Sequence, residues 1–223
     1  VIHRWQQNYP ARLAKIRTAP PLLFVKGDLA GLSRPRAITI VGTRNPTAYG
    51  SARCAAISER FTAHGFVVVS GLALGCDTIA HRACLRAGGR TAAVLAHGLL
   101  QVYPAANRRL AGAILDRGGC LVSEHPPEIK PQAAYFVRRN RIQAALGDGV
   151  VVVESGLRGG TMHTAAACRQ QDKPLFCLQH PEKYRHHLQV RGNRQLLAGA
   201  GALPLTGPGA VESAVEHLLG RTG

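Results

Sequence analysis

The sequence predicts an α/β protein with a doubly wound, mostly parallel sheet and a single main domain over residues 37–223. Short runs of β-branched apolar residues alternate with longer helical stretches, as in consecutive strand–helix–strand units. These runs contain no alternating polar residues, which indicates strands that are covered on both faces. The chain also has 25 glycines and only 18% charged residues, which is typical of a compact domain and not of a disordered chain.

An N-terminal segment of different composition precedes the main domain. Residues 1–36 are polar and contain proline, and we expect them to form a lead-in that caps the main domain, with a short strand at Leu22–Lys26. Strands are predicted at 37–41, 66–70, 91–96, 119–123, 149–154, 174–178 and 201–205. Helices are predicted at 47–64, 77–87, 105–117, 138–146, 161–171, 193–198 and 208–219.

The first strand of the main domain leads into a candidate phosphate site. Ala37–Val41 is apolar, Gly42 breaks the strand pattern, and Thr47 is favourable at the start of a helix. A strand, a tight turn and a helix leave backbone N–H groups at the carboxyl edge of the sheet, where a phosphate binds readily. Thr43 and Arg44 stand in this turn, and the arginine adds a bidentate cation. The spacing is neither GxGxxG nor GxxxxGK[ST], so the dinucleotide fingerprint and the P-loop are excluded.

Further glycine turns follow other predicted strands. Ser70 precedes Gly71, and Arg158 precedes the turn Gly159-Gly160-Thr161, which opens a predicted helix. Several such turns at one edge would line a groove with backbone donors, and a groove suits an extended phosphate chain better than a single nucleotide. Since α/β proteins also need glycine at these turns for structural reasons, that alternative stays open.

The charge balance indicates a polyanionic partner. The chain has 28 Lys+Arg and 12 Asp+Glu, a net charge of +16, and most of its cations are arginines. The run Arg138-Arg139-Asn140-Arg141 lies at the predicted start of a helix, where cations oppose the helix dipole and a bound anion would relieve the conflict. Phe136 would offer a stacking surface for an unpaired base. A solvated basic loop with Phe136 in the core is the alternative.

The residues give no complete catalytic or metal-binding set. Asp77 and His81 lie one helical turn apart, and we expect Asp77 to be the N-cap of its helix. Glu154 at a strand end is a candidate general base without a paired second acid, and no GxSxG elbow is present. The histidines between 180 and 187 lack an ordered ligand spacing. We therefore expect no enzymatic reaction, no metal and no cofactor.

The cysteines and the hydropathy pattern indicate a cytoplasmic protein. Six cysteines occur without a CxxC pair and in apolar segments, which predicts buried, reduced thiols. No run of eighteen apolar residues is present, so we expect no membrane span. The opening residues have no apolar signal core, so we expect no secretion.

Eight stretches of the chain resemble, in the same order, motifs of the bacterial DNA-processing protein A (DprA, or Smf) family. They cover nearly the whole chain and lie at Tyr9–Ile16, Val41–Gly50, Ser70–Leu85, Gly88–Leu110, Leu121–Pro127, Arg138–Gly147, Val151–Ala165 and Arg191–Ala202. The resemblance implies an extended Rossmann fold that binds single-stranded DNA, forms a homodimer and helps load RecA recombinase onto incoming DNA in natural transformation. It also implies that the principal phosphate contacts are Arg44, Arg138 and Arg139, beside turns at Gly42, Gly71 and Gly160.

The chain departs from the family's pattern at several motifs, and two other functions stay open. Leu74 stands where the family usually has arginine, and Val137 ends a loop that the family usually writes PGNFP. One alternative is a lysine-decarboxylase-like phosphoribohydrolase, whose PGGxGTxxE motif the turn Gly159-Gly160-Thr161 partly matches. The glutamate of that motif is missing, since Ala165 follows Thr164. The other alternative is a nucleotide-sensing domain.

Overall fold

In a computed structural model of the chain, which describes residues 1–33, 36–199, 201–207 and 209–220, the strands form one sheet. Within the described residues this sheet has nine strands in the spatial order β1-β2-β6-β5-β4-β3-β7-β8-β9. The strands are β1 (Ile2–His3), β2 (Leu22–Gly27), β3 (Ala37–Val41), β4 (Val67–Ser70), β5 (Thr91–Val94), β6 (Cys120–Ser123), β7 (Gly149–Val152), β8 (Leu175–Leu178) and β9 (Leu203–Leu205).

The strand order reverses between β3 and β7. From β3 the chain adds β4, β5 and β6 on one side, then returns to place β7 against the other side of β3, followed by β8 and β9. Across the sheet from β6 through β5, β4, β3, β7 and β8 to β9, all neighbouring strands are parallel. In contrast, β2 runs antiparallel to β6, and β1 runs antiparallel to β2. In open α/β sheets a crevice forms at such a reversal, outside the carboxyl ends of the two strands. The predicted doubly wound, mostly parallel sheet is confirmed.

Helices cover both faces of the sheet. They are α1 (Ala11–Ala14), α2 (Ala48–Ala63), α3 (Cys76–Arg86), α4 (Arg108–Asp116), α5 (Ala133–Leu146), α6 (Gly160–Gln170), α7 (Arg191–Gly199) and α8 (Ala210–Gly220). Helices α2, α3, α4 and α8 pack on one face, and α1, α5, α6 and α7 on the other. The central strands β3 to β8 are buried at every residue, which explains their unbroken apolar pattern.

The lead-in contributes to the core of the α5 face. Tyr9, Leu13 and Leu23 are buried there beside Ile142 and Leu146 of α5. Arg12 forms a salt bridge with Asp148, whose carboxylate also accepts a hydrogen bond of 2.8 Å from the backbone N–H of Ala37. These contacts hold the N-terminal residues against the amino end of β3.

The predicted helix over 138–146 begins five residues too late. In the structure α5 begins at Ala133, with Gln132 as its N-cap. Pro131 ends the preceding extended segment, and the two alanines that follow are strong helix formers. The basic run therefore lies inside the helix, and the predicted conflict between three arginines and the helix dipole is wrong. The other predicted elements agree with the structure to within about three residues at each end, although residue 208, the predicted start of the last helix, lies outside the described residues.

All six cysteines are buried free thiols. Burial raises the pKa of Cys120, Cys168 and Cys177 to about 12, so these groups stay protonated and unreactive at neutral pH. Among the helices of the described ranges, none has the length and apolar character needed to cross a bilayer.

Candidate nucleic-acid interface

A cleft of about 430 Å³ opens at the carboxyl edge of the sheet, at the reversal between β3 and β7. We call it the carboxyl-edge cleft. Its walls come from the turns after β3 and β7, the first half of α5 and the start of α6. The residues lining it include Gly42, Thr43, Arg44, Asp77, Phe136, Val137, Arg139, Asn140, Gln143, Arg158, Gly159, Gly160, Thr161 and Gln189.

The turn after β3 is held closely by its neighbours. The backbone N–H of Thr43 donates to the carbonyl of Glu154 at 2.7 Å, and the Thr43 carbonyl accepts from the N–H of Cys76 at 3.1 Å. Gly75 packs against this turn with φ +75, and a Cβ there would lie 2.4–2.5 Å from main-chain atoms of Thr43 and Arg44. The exposed side chain of Arg44 leaves the turn and lies over the ring of Phe136, 5.8 Å from its centroid. The fixed turn therefore presents a guanidinium and an aromatic ring together.

Glu154 anchors the helix that follows this turn. Its buried carboxylate accepts the Thr47 N–H at 2.8 Å, the Thr47 hydroxyl at 2.6 Å and His180 Nε2 at 2.9 Å. A Cβ at Gly50 would lie 2.2–2.6 Å from the carboxyl group, so the first turn of α2 fits over Glu154 only with glycine. Burial alone would raise the pKa of Glu154, but the hydrogen bonds from His180 and Thr47 outweigh it and lower that pKa. The candidate general base of the sequence thus has its oxygens engaged in structural contacts.

Buried hydrogen bonds of the Arg139 side chain form the floor of the cleft. This guanidinium donates to the carbonyls of Gly71 (3.0 Å) and Val94 and to the side chain of Asn140 (3.2 Å), and the residue is only 5% exposed. Burial lowers the pKa of Arg139 to about 10, against the opposing effect of the nearby Asp77 carboxylate. Burial also raises the pKa of Asp77, although the Arg139 charge acts in the other direction.

Asp77 supports the same floor from α3. Its carboxylate accepts hydrogen bonds from the backbone N–H groups of Gly71 (3.1 Å) and Ala73 (3.3 Å). The N-cap of α3 is Gly75, so the predicted N-cap role of Asp77 is wrong, because Asp77 is the second residue of the helix and bonds to the loop before it. His81 is buried and faces Thr91, with Nδ1 and the hydroxyl oxygen 2.6 Å apart.

The opposite wall is the start of α6. Its N-cap is Gly159, with φ +129, and no side chain caps the helix. The first backbone N–H groups of α6 therefore face the cleft with the positive end of the helix dipole. Asn140 fixes this wall to α5, because its side-chain amide donates to the Gly160 carbonyl at 3.0 Å. Arg158 stands beside it as a second arginine of the rim.

Most of the predicted site residues lie at this cleft, and four do not. Ser70 and Gly71 lie under the floor, where the Ser70 hydroxyl donates to the carbonyl of Ile40 at 2.7 Å. Arg138 and Arg141 lie outside the cleft and share the carboxylate of Glu124, with Arg141 bidentate at 2.7 and 2.9 Å and Arg138 at 3.4 Å. The lining residues predicted from the sequence are Gly42, Thr43, Arg44, Phe136, Arg139, Asn140, Arg158, Gly159, Gly160 and Thr161.

The sequence analysis did not single out several side chains at the cleft. Gln189 lines it and accepts a hydrogen bond of 3.0 Å from the Thr43 hydroxyl. Tyr103 packs against Phe136 with the ring centroids 5.9 Å apart. The aliphatic side chains of Leu157 and Leu188, which are next in sequence to lining residues, are also exposed, at 48% and 67%. The only signal in the sequence was the position of Leu157 beside Gly156, and Leu188 had none.

The fold and the cleft define a doubly wound α/β protein with a cationic, amide-lined site at the carboxyl edge of its sheet. The comparisons with known proteins agree with this class. A family model described as DNA recombination-mediator protein A matches residues 1–214, and the chain belongs to that family.

Individual relatives support the same assignment. DNA processing protein DprA of Bacillus subtilis is 42% identical over 172 residues, which are 77% of this chain and 58% of that protein. A DprA structure from Streptococcus pneumoniae has a TM-score of 0.86 at 33% identity, covering 95% of this chain and 72% of that one. A Helicobacter pylori structure, described for its single-stranded DNA binding mode, has a TM-score of 0.84 at 27% identity and covers 99% of both chains. The chain spans about half the length of the curated relatives it matches.

Proposed function

We propose that the chain binds single-stranded DNA without sequence preference through the carboxyl-edge cleft. The observation that carries this proposal is the joint presence, in one open cleft, of uncapped N–H groups at the start of α6, two rim arginines and the Phe136 ring. Amides and guanidinium groups suit phosphates, and an aromatic face suits any unpaired base. The net charge of +16 favours a long polyanion over a single nucleotide.

The family supports the finer parts of the proposal. The Helicobacter pylori relative is described as binding single-stranded DNA, and the family name is that of a recombination mediator. On this basis we extend the proposal to a cytoplasmic homodimer that binds no membrane and helps load RecA recombinase onto single strands during natural transformation. Buried reduced thiols are compatible with a reducing compartment.

The acidic side chains near the cleft already accept structural hydrogen bonds, which supports binding without a chemical reaction. Glu154 is occupied by Thr47 and His180, and Asp77 by the loop N–H groups at Gly71 and Ala73. Within the described residues, no cluster of three or more histidine, cysteine or acidic side chains would hold a metal. Release of a free base from nucleoside monophosphates, measured by chromatography, would instead support the phosphoribohydrolase alternative.

The test is a titration of labelled oligo-dT and of duplex DNA at two salt concentrations. We expect the single strand to bind more tightly, with log affinity falling by about 0.7 per phosphate contact for each log unit of salt. Replacing Arg44 or Arg158 by alanine should reduce the affinity by about three- to tenfold and make the salt slope shallower. Arg82→Ala, on the outer side of α3, is the matched control because it removes one exposed charge elsewhere. If both cleft variants bind like Arg82→Ala, the proposed interface is wrong.

A further inference from the structure

A second, larger cleft lies at the opposite edge of the sheet. Its volume is about 720 Å³, and it opens between the lead-in, the end of α5 and the segment before β8. We call it the amino-edge cleft, because Asp148 and Lys173 in its wall lie one and two residues before the amino ends of β7 and β8. None of the residues lining it lines the carboxyl-edge cleft.

Cations outnumber anions in this cleft. Its described lining holds five basic side chains, from Arg12, Lys15, Arg17, Arg141 and Lys173, against the two acidic side chains of Asp148 and Asp172. Arg12 and Arg141 have carboxylate partners, whereas Lys15 and Arg17 are exposed and make no salt bridge within the described part of the chain. Two exposed cations at the mouth of a basic cleft give it a positive field towards solvent.

Lys173 joins the wall of the cleft to the end of α5. Its Nζ donates to the carbonyls of Ala144 (3.1 Å), Ala145 (2.5 Å) and Gly147 (2.5 Å), which are the free carbonyls at the end of α5. Burial lowers the pKa of Lys173 to about 8, with the Asp148 charge opposing and the Arg12 and Lys15 charges adding to the decrease. Burial therefore disfavours the charge of Lys173, and an anion bound in the cleft would stabilise that charge.

Helix α5 connects the two clefts. Residues of α5 between Phe136 and Gln143 line the carboxyl-edge cleft, whereas Arg141, on another side of the helix, lines the amino-edge cleft. The helix is about 21 Å long at about 1.5 Å per residue, and Lys173 of the amino-edge cleft bonds to the carbonyls at its end. Arg138 and Arg141 lie one turn apart on the side of α5 outside the carboxyl-edge cleft, and the Arg138 side chain is 64% exposed. Arg141 itself lines the amino-edge cleft and donates to the carbonyl of Thr18 in the lead-in at 3.1 Å. The helix thus carries cations along the route from one cleft to the other.

We infer that the amino-edge cleft binds the phosphodiester backbone of the same single strand, led there along α5 by Arg138 and Arg141, an inference that rests on the proposed function. At the 3.4 Å per nucleotide of a stacked strand, the length of α5 corresponds to about 6 nucleotides. A stacked oligonucleotide of about 4 nucleotides is shorter than α5, whereas one of about 20 nucleotides is more than three times its length and can contact both clefts.

The test compares these two lengths of oligo-dT on the full chain. Lys15→Ala/Arg17→Ala should lower the affinity for the long strand by about fivefold or more and reduce its salt slope by about 1.4, the value for two contacts. Its affinity for the short strand should equal that of the parent chain. The matched control is Arg82→Ala/Arg109→Ala, which removes two exposed charges from helices on the other face of the sheet. Circular dichroism and a denaturation curve establish that each variant is folded.

Each outcome separates the two proposals. If the Lys15/Arg17 double variant binds the long strand like the Arg82/Arg109 control, the amino-edge inference is wrong. When Arg44→Ala weakens both lengths in the same experiment, the proposed function stands despite that failure. If Arg44→Ala changes neither length while the double variant weakens the long one, the carboxyl-edge interface is wrong and so is the path across α5. A parent chain that binds neither length overturns both.

Discussion

The Arg139 guanidinium donates a hydrogen bond of 3.0 Å to the main-chain carbonyl of Gly71 from beneath the carboxyl-edge cleft. This contact joins α5 to the loop after β4, and its two residues are 68 positions apart in the sequence. Arg139 is therefore a residue that shapes the floor, whereas Arg44 is exposed at the rim.

Arg139→Ala should destabilise the fold far more than Arg44→Ala. Removing the buried guanidinium leaves the carbonyls of Gly71 and Val94 without their donor and the Asp77 carboxylate without its nearby cation, which should cost about 3 kcal/mol. Arg44→Ala should change the free energy of unfolding by no more than about 0.5 kcal/mol. Urea denaturation of both variants measures the difference, and equal stabilities would contradict the structural role of Arg139.

Gly75→Ala should lower the free energy of unfolding more than Gly88→Ala does, although both glycines have φ +75. At Gly88 nothing lies within 4 Å of the added Cβ, so only the backbone conformation is penalised, by about 1–2 kcal/mol. At Gly75 the Cβ would lie 2.4–2.5 Å from main-chain atoms of Thr43 and Arg44, which should add about 1–3 kcal/mol and displace the turn. Thermal or urea unfolding gives the comparison. If the two variants have similar stability, the turn that contains Thr43 and Arg44 moves at little cost to make room for the added Cβ.

Acid should destabilise the protein through His81. Burial lowers the pKa of this fully buried histidine from 6.5 to about 3, with the Arg139 charge acting in the same direction. Since Thr91 donates its hydroxyl to the carbonyl of Val68 at 2.6 Å, it accepts from Nδ1 of neutral His81. Because the native pKa lies below the unfolded one, the stabilisation is complete above pH 6.5 and is lost as the pH falls towards about 3.

The slope for that single proton is about 1.4 kcal/mol per pH unit. His81→Gln, which keeps a donor for Thr91 but cannot take up a proton, should flatten the dependence of unfolding free energy on pH below about 6.5. His125, whose pKa burial also lowers, supplies a remaining slope in the same direction. Urea titrations at several pH values measure both curves, and parallel curves would exclude His81 as the cause.

Phe136→Ala should weaken oligo-dT binding by about 1–3 kcal/mol, the range for loss of one stacked base. Phe136→Leu, the control, keeps the apolar contact with Tyr103 but has no aromatic face for a base or for Arg44. We expect its affinity to lie near that of the alanine variant, with stability near the parent. Fluorescence anisotropy measures the affinities. A leucine variant that binds like the parent would show that apolar bulk, not stacking, matters here.

The elements that depend on local pattern were predictable, and those that depend on distant contacts were not. Ala37–Val41 followed by Gly42 and Thr47 predicts a strand, a turn and a helix from neighbouring residues alone, and β3 and α2 have those positions. The burial of Arg139 depends on Gly71 and Val94, whose proximity only the folded sheet provides.

The basic run illustrates the same limit. Four adjacent residues of α5 point in different directions around the helix, so Arg139 and Asn140 line the cleft while Arg138 and Arg141 contact Glu124. The sequence showed the charges but not which side of α5 faces the cleft, because that depends on how the helix packs against the rest of the fold. Gln189 was equally inaccessible to prediction, since its partner Thr43 is 146 residues away.

The burial of all six cysteine thiols also has a practical consequence. Because the six native thiols are all buried, a thiol-reactive dye has no native target on the folded chain. One new cysteine at the mouth of either cleft, such as Leu157→Cys or Arg17→Cys, therefore accepts a fluorophore at a single known position without prior removal of the others.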